Sequence, residues 1–192
     1  MTDLRATSQF GPSALATPAN ALTVIRLLLT IPLLSMVAGD GASWVALELW
    51  IVLCLTDWID GIVARRQGTT RSGAFLDPLA DKVLVLGVAF VLVAESDVWW
   101  LPVALITVRE LGIQGFRSFW ARRGLAVPAT SLAKAKTVVQ QVALGLFLLP
   151  PAADDATWLG TGLLWVAVVL TLVTGVQYVT AGSRMATTAG SR

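Results

Sequence analysis

Four aspartates, Asp57, Asp60, Asp77 and Asp81, sit in the stretch from Thr56 to Lys82, at the ends of two very apolar segments. A charged side chain at mid-bilayer costs ~2.5–3.5 kcal/mol on insertion scales, and clustered carboxylates also repel one another. Something positive has to hold them together, and hard divalent cations prefer carboxylate oxygens. Asp57, Asp60, Gly61 and Ala64 fall at i, i+3, i+4 and i+7, one face of a helix, with Arg65 one turn beyond Gly61. Gly73, Asp77 and Asp81 recur at i, i+4 and i+8, again one face. Two helix ends joined by a short loop could aim the four carboxylates at one point. Two metal ions clamped there would position an attacking and a leaving oxygen. Gly61, Ala64 and Gly73 add no bulk, so a ligand can approach the backbone closely. Helix caps or solvated loop charges would explain one such aspartate, since Asp60-Gly61 and Asp77-Pro78 are turn-like pairs. They do not explain four in register, interleaved with small residues and flanked by arginines.

The elements that must carry these residues are apolar. The chain has 192 residues, 56% hydrophobic and 14% charged, against roughly 25% charged in an ordinary globular domain. The composition predicts an all-α, polytopic membrane protein. Runs long enough to cross a hydrocarbon core of ~30 Å are read at 22–38, 43–64, 78–95, 98–120, 131–149 and 158–181, six transmembrane helices in one domain over 17–181. Residues 1–16 are expected to be a juxtamembrane cytoplasmic segment and 182–192 a disordered cytoplasmic tail. The first run carries Arg26 and lacks a small-residue cleavage site, so it reads as a retained span. Basic residues crowd one side: both termini and the loops near 65–77 and 121–130. The opposite loops hold Asp40, Asp97, Asp154 and Asp155 and neither Lys nor Arg. The positive-inside rule then places both termini and the aspartate loop in the cytoplasm, at the cell (inner) membrane.

The chain has no histidine and one cysteine, Cys54. That removes the usual general base, the Ser-His-Asp class, His-ligated zinc and any intramolecular disulfide. Proton transfer falls to a carboxylate, Lys, Tyr or water.

A second polar group lies later. Arg109 and Arg117 are eight residues apart and share a helix face, and Lys134 and Lys136 open the next span. Topology alone accounts for Arg122 and Arg123 but not for Arg109, which lies inside a span, where an ionisable residue is a functional candidate. Arg109 needs a partner, and Glu110 is read as adjacent in sequence rather than facing it. Arginine's planar fork of donors suits a phosphate dianion.

The first group resembles the signature of the CDP-alcohol phosphotransferases, D-x-x-D-G-x-x-A-R followed by G-x-x-x-D-x-x-x-D. Here it is Asp57, Asp60, Gly61, Ala64 and Arg65, then Gly73, Asp77 and Asp81. Seven residues separate Arg65 from Gly73, where the family usually has eight or nine. The resemblance implies displacement of CMP from a CDP-linked molecule by an alcohol. It implies divalent metal, Mg2+ or Mn2+ and two ions, on Asp57, Asp60, Asp77 and Asp81, with Asp81 as metal ligand, general base, or both. Gly61, Ala64 and Gly73 would line the nucleotide site and Arg65 would contact the diphosphate. Together with Thr17 to Arg26 and the run Lys134 to Gln140, where Ala133 replaces a usual glycine, the chain resembles the phosphatidylglycerophosphate-forming branch. That branch joins sn-glycerol 3-phosphate to CDP-diacylglycerol. Asn20, Thr23 and Arg26 would border the nucleotide, and Arg109, Arg117, Lys134 and Lys136 would hold the acceptor phosphate. The family is commonly homodimeric; membrane lipids are expected partners and nucleic acid is not. Two other readings stand beside this one: another acceptor, such as inositol phosphate, serine or phosphatidylglycerol, and a cation transporter whose aspartates bind the transported ion.

Overall fold

A computed structural model describes residues 18–67, 73–122, 131–150 and 154–190, some of them as backbone only. These residues form six helices and no strand: α1 (Pro18–Asp40), α2 (Trp44–Gln67), α3 (Gly73–Ala94), α4 (Trp100–Arg122), α5 (Ser131–Phe147) and α6 (Asp154–Gly190). The expected all-α class holds, and each expected apolar run falls largely on one helix. Two boundaries differ. Helix α3 begins at Gly73, so Asp77 lies within it rather than in a loop. Helix α6 continues to Gly190, so most of the expected tail 182–192 is helical backbone. Ala181, Ala186 and Ala189 favour helix there, and no proline interrupts it. Residues 1–16 lie outside the described residues.

Local chemistry explains the helix ends. Pro18 opens α1, where a missing N–H costs nothing. Gly41 (φ 68°) follows α1 in the left-handed conformation that favours glycine. Ser43 caps α2, its hydroxyl accepting from the Ala46 amide at 3.2 Å. At the end of α3, Ser96 takes the left-handed position (φ 69°). The Asp97 amide donates to Leu92 O at 2.9 Å and the Ser96 amide to Val93 O at 3.1 Å, the Schellman closure of a helix.

Helix α1 packs on α2 and α3, α6 on α4 and α5, and α3 links the two groups through α4 and α5. Leu33, Val37, Leu53, Leu84, Val88, Leu92, Ile106, Leu144, Leu148, Leu164 and Val168 belong to one buried cluster drawn from all six helices. The i, i+4 spacing of Leu84, Val88 and Leu92 shows how the sequence turns one face of α3 inward. Glycine allows the closest approaches: a Cβ at Gly160 would stand 3.0 Å from Phe147 Cε2, and one at Gly145 3.1 Å from Trp50 Nε1. That indole donates to the Gln141 carbonyl at 3.2 Å, tying α2 to α5.

The outer surface is also apolar. Leu28, Ile31, Val52, Val108, Val138, Val169 and Val176 are exposed. Ala21–Asp40 and Thr157–Tyr178 are long and apolar enough to cross a membrane, with a mean hydropathy of 2.1 each, yet only about a third of either stretch is buried. A core helix of a soluble protein would be mostly buried; helices apolar on every side and uncovered by protein belong against lipid.

Candidate active site

Arg26 lies on α1 at 1% exposure, and its Nη1 donates to Asp57 Oδ1 on α2 at 2.8 Å; Asp57 keeps 31% of its side chain exposed. A guanidinium this deep is tolerable because a carboxylate meets it. Thr23, one turn earlier on α1, is fully buried, and the Thr30 hydroxyl donates to the Arg26 carbonyl at 2.8 Å. From α3, Asp81 presents a buried Oδ1 that has no hydrogen-bond partner among the described residues. The Asp81 carboxylate lies within electrostatic reach of Asp57 and of Glu110 and Lys136.

Helices α4, α5 and α6 meet in a second charged cluster. Glu110 Oε1 on α4 accepts from Arg109 Nη1 at 2.9 Å and from the ammonium of Lys136 on α5. Arg109 Nη2 donates to the Thr174 hydroxyl on α6 at 2.6 Å, and its guanidinium carbon lies 5.8 Å from the centre of the Tyr178 ring. The Thr174 hydroxyl lies 2.7 Å from the Leu170 carbonyl, and Gly175 leaves room for the arginine stem. Glu110 therefore does face Arg109, contrary to the sequence expectation. Neighbours on a helix surface diverge, but here a long side chain folds back into the gap between α4, α5 and α6. Lys136 is buried and Lys134 exposed.

Asn20, Asp60, Gly61, Ala64, Arg65, Gly73, Asp77 and Arg117 are placed on α1 to α4 as backbone; their side chains lie outside the described residues. Among the described residues, no group of three His, Cys, Asp or Glu gathers as a metal site. What is described still fits a hard cation: an orphaned carboxylate oxygen on Asp81 beside the electrostatic field of Asp57. Sequence reasoning missed Glu110, Thr174 and Tyr178. The signal was present as an acidic residue within an apolar helix and as the spacing of Thr171, Thr174 and Tyr178 along α6.

Between α2 and α5 runs an apolar groove of about 300 Å³, lined by Leu47, Trp50, Ile51, Cys54 and Leu55 on one side and by Val138, Gln141, Val142, Gly145, Leu146 and Leu149 on the other. Cys54 is one turn from Asp57, and Val138 follows Lys136 by two residues, so the groove ends beside the polar region.

A family model described as CDP-alcohol phosphatidyltransferase matches residues 16–173. The chain belongs to the CDP-alcohol phosphatidyltransferase family. The match covers α1 to α5 and the first half of α6, including Arg26, Asp57, Asp81, Arg109, Glu110 and Lys136; Thr174 and Tyr178 lie just beyond it. Among similar proteins of this family, a probable phosphatidylglycerophosphate synthase of Mycobacterium tuberculosis (strain CDC 1551 / Oshkosh) is 39% identical over 176 residues, covering 88% of this chain and 83% of that protein. A CDP-diacylglycerol–glycerol-3-phosphate 3-phosphatidyltransferase of Salmonella choleraesuis (strain SC-B67) is 41% identical over 169 residues, 83% of this chain and 91% of that protein. A protein of the same description from Rickettsia bellii (strain RML369-C) is 36% identical over 166 residues, with 83% and 91% coverage.

Proposed function

We propose that this chain transfers a phosphatidyl group from CDP-diacylglycerol to sn-glycerol 3-phosphate, releasing CMP. The observation that carries this reading is the set of buried charged groups the helices bring together: the Arg26–Asp57 ion pair, the unpartnered Oδ1 of Asp81 and the Arg109–Glu110–Lys136 cluster. The names of the relatives at 36–41% identity supply the acceptor. In the reaction, the acceptor hydroxyl oxygen bonds to the phosphorus that carries the diacylglycerol. The bond from that phosphorus to the CMP oxygen breaks, and CMP leaves with its electron pair. Asp81 takes the hydroxyl proton. Its orphaned oxygen supports that role, and a chain without histidine needs a carboxylate there.

Asp57, Asp60, Asp77 and Asp81 would hold two divalent ions, Mg2+ or Mn2+. Such ions neutralise charge on the diphosphate and on the leaving oxygen. Arg26 orients Asp57 through its hydrogen bond to Oδ1. Asn20, Thr23, Arg65, Gly61, Ala64 and Gly73 border the nucleotide, and Arg109, Arg117, Lys134 and Lys136 provide positive charge for the acceptor phosphate. The α2–α5 groove, apolar and ending beside Asp57, suits an acyl chain of the CDP-lipid. Six spans, cytoplasmic termini and site, and a homodimer complete the reading; the one-sided basic residues support the orientation.

The test offers purified protein CDP-diacylglycerol with glycerol 3-phosphate, inositol phosphate, serine or phosphatidylglycerol in parallel, and follows CMP release with magnesium, manganese or chelator. Glycerol 3-phosphate should be strongly preferred, and only with a divalent cation. Preference for inositol phosphate would move the chain to another acceptor within its family; cation flux without CMP release would move it to transport.

A further inference from the structure

A carboxylate buried in an apolar helix is costly unless it is paired, and neither the proton transfer nor the metal ligation described above uses Glu110. Its Oε1 alone receives both Arg109, at 2.9 Å, and Lys136. The three side chains are 10%, 16% and 5% exposed for Arg109, Glu110 and Lys136. Two buried cations side by side repel; one shared anion between them reverses that. Arg109 is clamped from behind by Thr174 and Tyr178 on α6, so it forms the fixed end of the arrangement. Lys136 is the end that a long flexible stem would otherwise let wander. Its ammonium has three donors, one of which goes to Glu110. Its charge also reaches Asp81, where the acceptor's hydroxyl must lie.

We propose that Glu110 is a positioning residue for the acceptor's phosphate. In this arrangement Arg109, anchored on α6, fixes Glu110, and Glu110 holds the Lys136 ammonium where a phosphate monoester can meet its remaining donors. The inference rests on the reading that the acceptor is a phosphorylated alcohol. Without the carboxylate, the Lys136 ammonium would lose its anchor and the phosphate itself would have to fix it, so acceptor affinity would fall. The CDP-lipid does not depend on this contact, so its affinity would stay.

The experiment compares the full-length protein with Glu110→Gln, which keeps the shape and removes the charge. Steady-state kinetics give KM for glycerol 3-phosphate and for CDP-diacylglycerol separately. Thermal shift with glycerol 3-phosphate alone gives binding without turnover. The expected result is a KM for glycerol 3-phosphate raised about ten- to a hundredfold, the range for losing a hydrogen bond to a charged group. The half-effect concentration in the thermal shift should rise in parallel, and the KM for CDP-diacylglycerol should change by less than about twofold. An unchanged or lowered acceptor KM, or an equal loss for both substrates, overturns the proposal. A wild-type protein that shows neither stabilisation by glycerol 3-phosphate nor turnover with it would overturn the underlying reading instead. If Glu110→Gln does not fold, Glu110→Asp keeps the charge and withdraws it by one methylene. The acceptor KM should then rise at least about threefold, and no rise counts against the proposal.

Discussion

Replacing Arg26 with Met removes a guanidinium that is 1% exposed and donates to Asp57 at 2.8 Å, while keeping an unbranched side chain in the same slot. Removing one partner of a fully buried ion pair costs about 3–5 kcal/mol. Asp57 is 31% exposed, so water takes over part of the lost interaction. The expected cost is therefore nearer the value of one hydrogen bond to a charged group, about 1.5–3 kcal/mol. For a chain of this size, that lowers the thermal midpoint by about 3–12 °C. The loss should be largest in chelator and smaller in magnesium, because a cation at Asp57 replaces part of the missing positive charge. Adding Asp57→Asn to Arg26→Met should restore part of the stability, since the penalty comes from the carboxylate left behind. The assay is thermal unfolding of detergent-purified protein for the wild type, both single variants and the double variant, with and without magnesium. If the double variant lost the sum of the two single losses to within about 0.5 kcal/mol, Arg26 and Asp57 would not act as a pair.

Asp81→Asn should lower CMP release by about 10²–10⁴-fold, the usual contribution of a positioned base, and should blunt stabilisation by magnesium; more than a tenth of wild-type turnover would remove Asp81 from that role. Gly160→Ala brings a methyl to 3.0 Å from Phe147 Cε2 and 3.3 Å from the Ala143 carbonyl, so unfolding experiments should show a loss of about 1–3 kcal/mol from overpacking. Gly162→Ala meets nothing within 4 Å and should leave the thermal midpoint unchanged or slightly higher.

The helices and the carboxylate register were legible because both depend on short-range periodicity. Asp57, Asp60 and Ala64 share a helix face whatever surrounds them, and an apolar run of span length admits few alternatives. Contacts between helices were not legible in that way. The pairing of Arg26 with a carboxylate 31 residues away was not foreseen, and only the packing of α1 on α2 shows it. Arg109 was expected to lack a partner in Glu110, because adjacent residues diverge on an isolated helix. The contact exists because Thr174 and Tyr178 hold the guanidinium from a third helix. The apolar run reads as starting at 78, although the i, i+4, i+8 spacing of Gly73, Asp77 and Asp81 already implies a helical face; α3 begins at Gly73 and takes in all three.

The apolar groove between α2 and α5 has walls that include Ile51, Leu55, Val138 and Val142, each about half exposed on the outer face of the bundle. It opens sideways, toward where lipid would lie, rather than toward water. A chain-bearing substrate seated there would arrive by two-dimensional diffusion in the plane of the membrane and would never have to leave it. The concentration that governs the rate is then the mole fraction of CDP-lipid among its neighbours. Diluting the membrane with inert lipid or detergent would slow turnover at a constant bulk amount of substrate, while the water-soluble acceptor would follow its ordinary molarity.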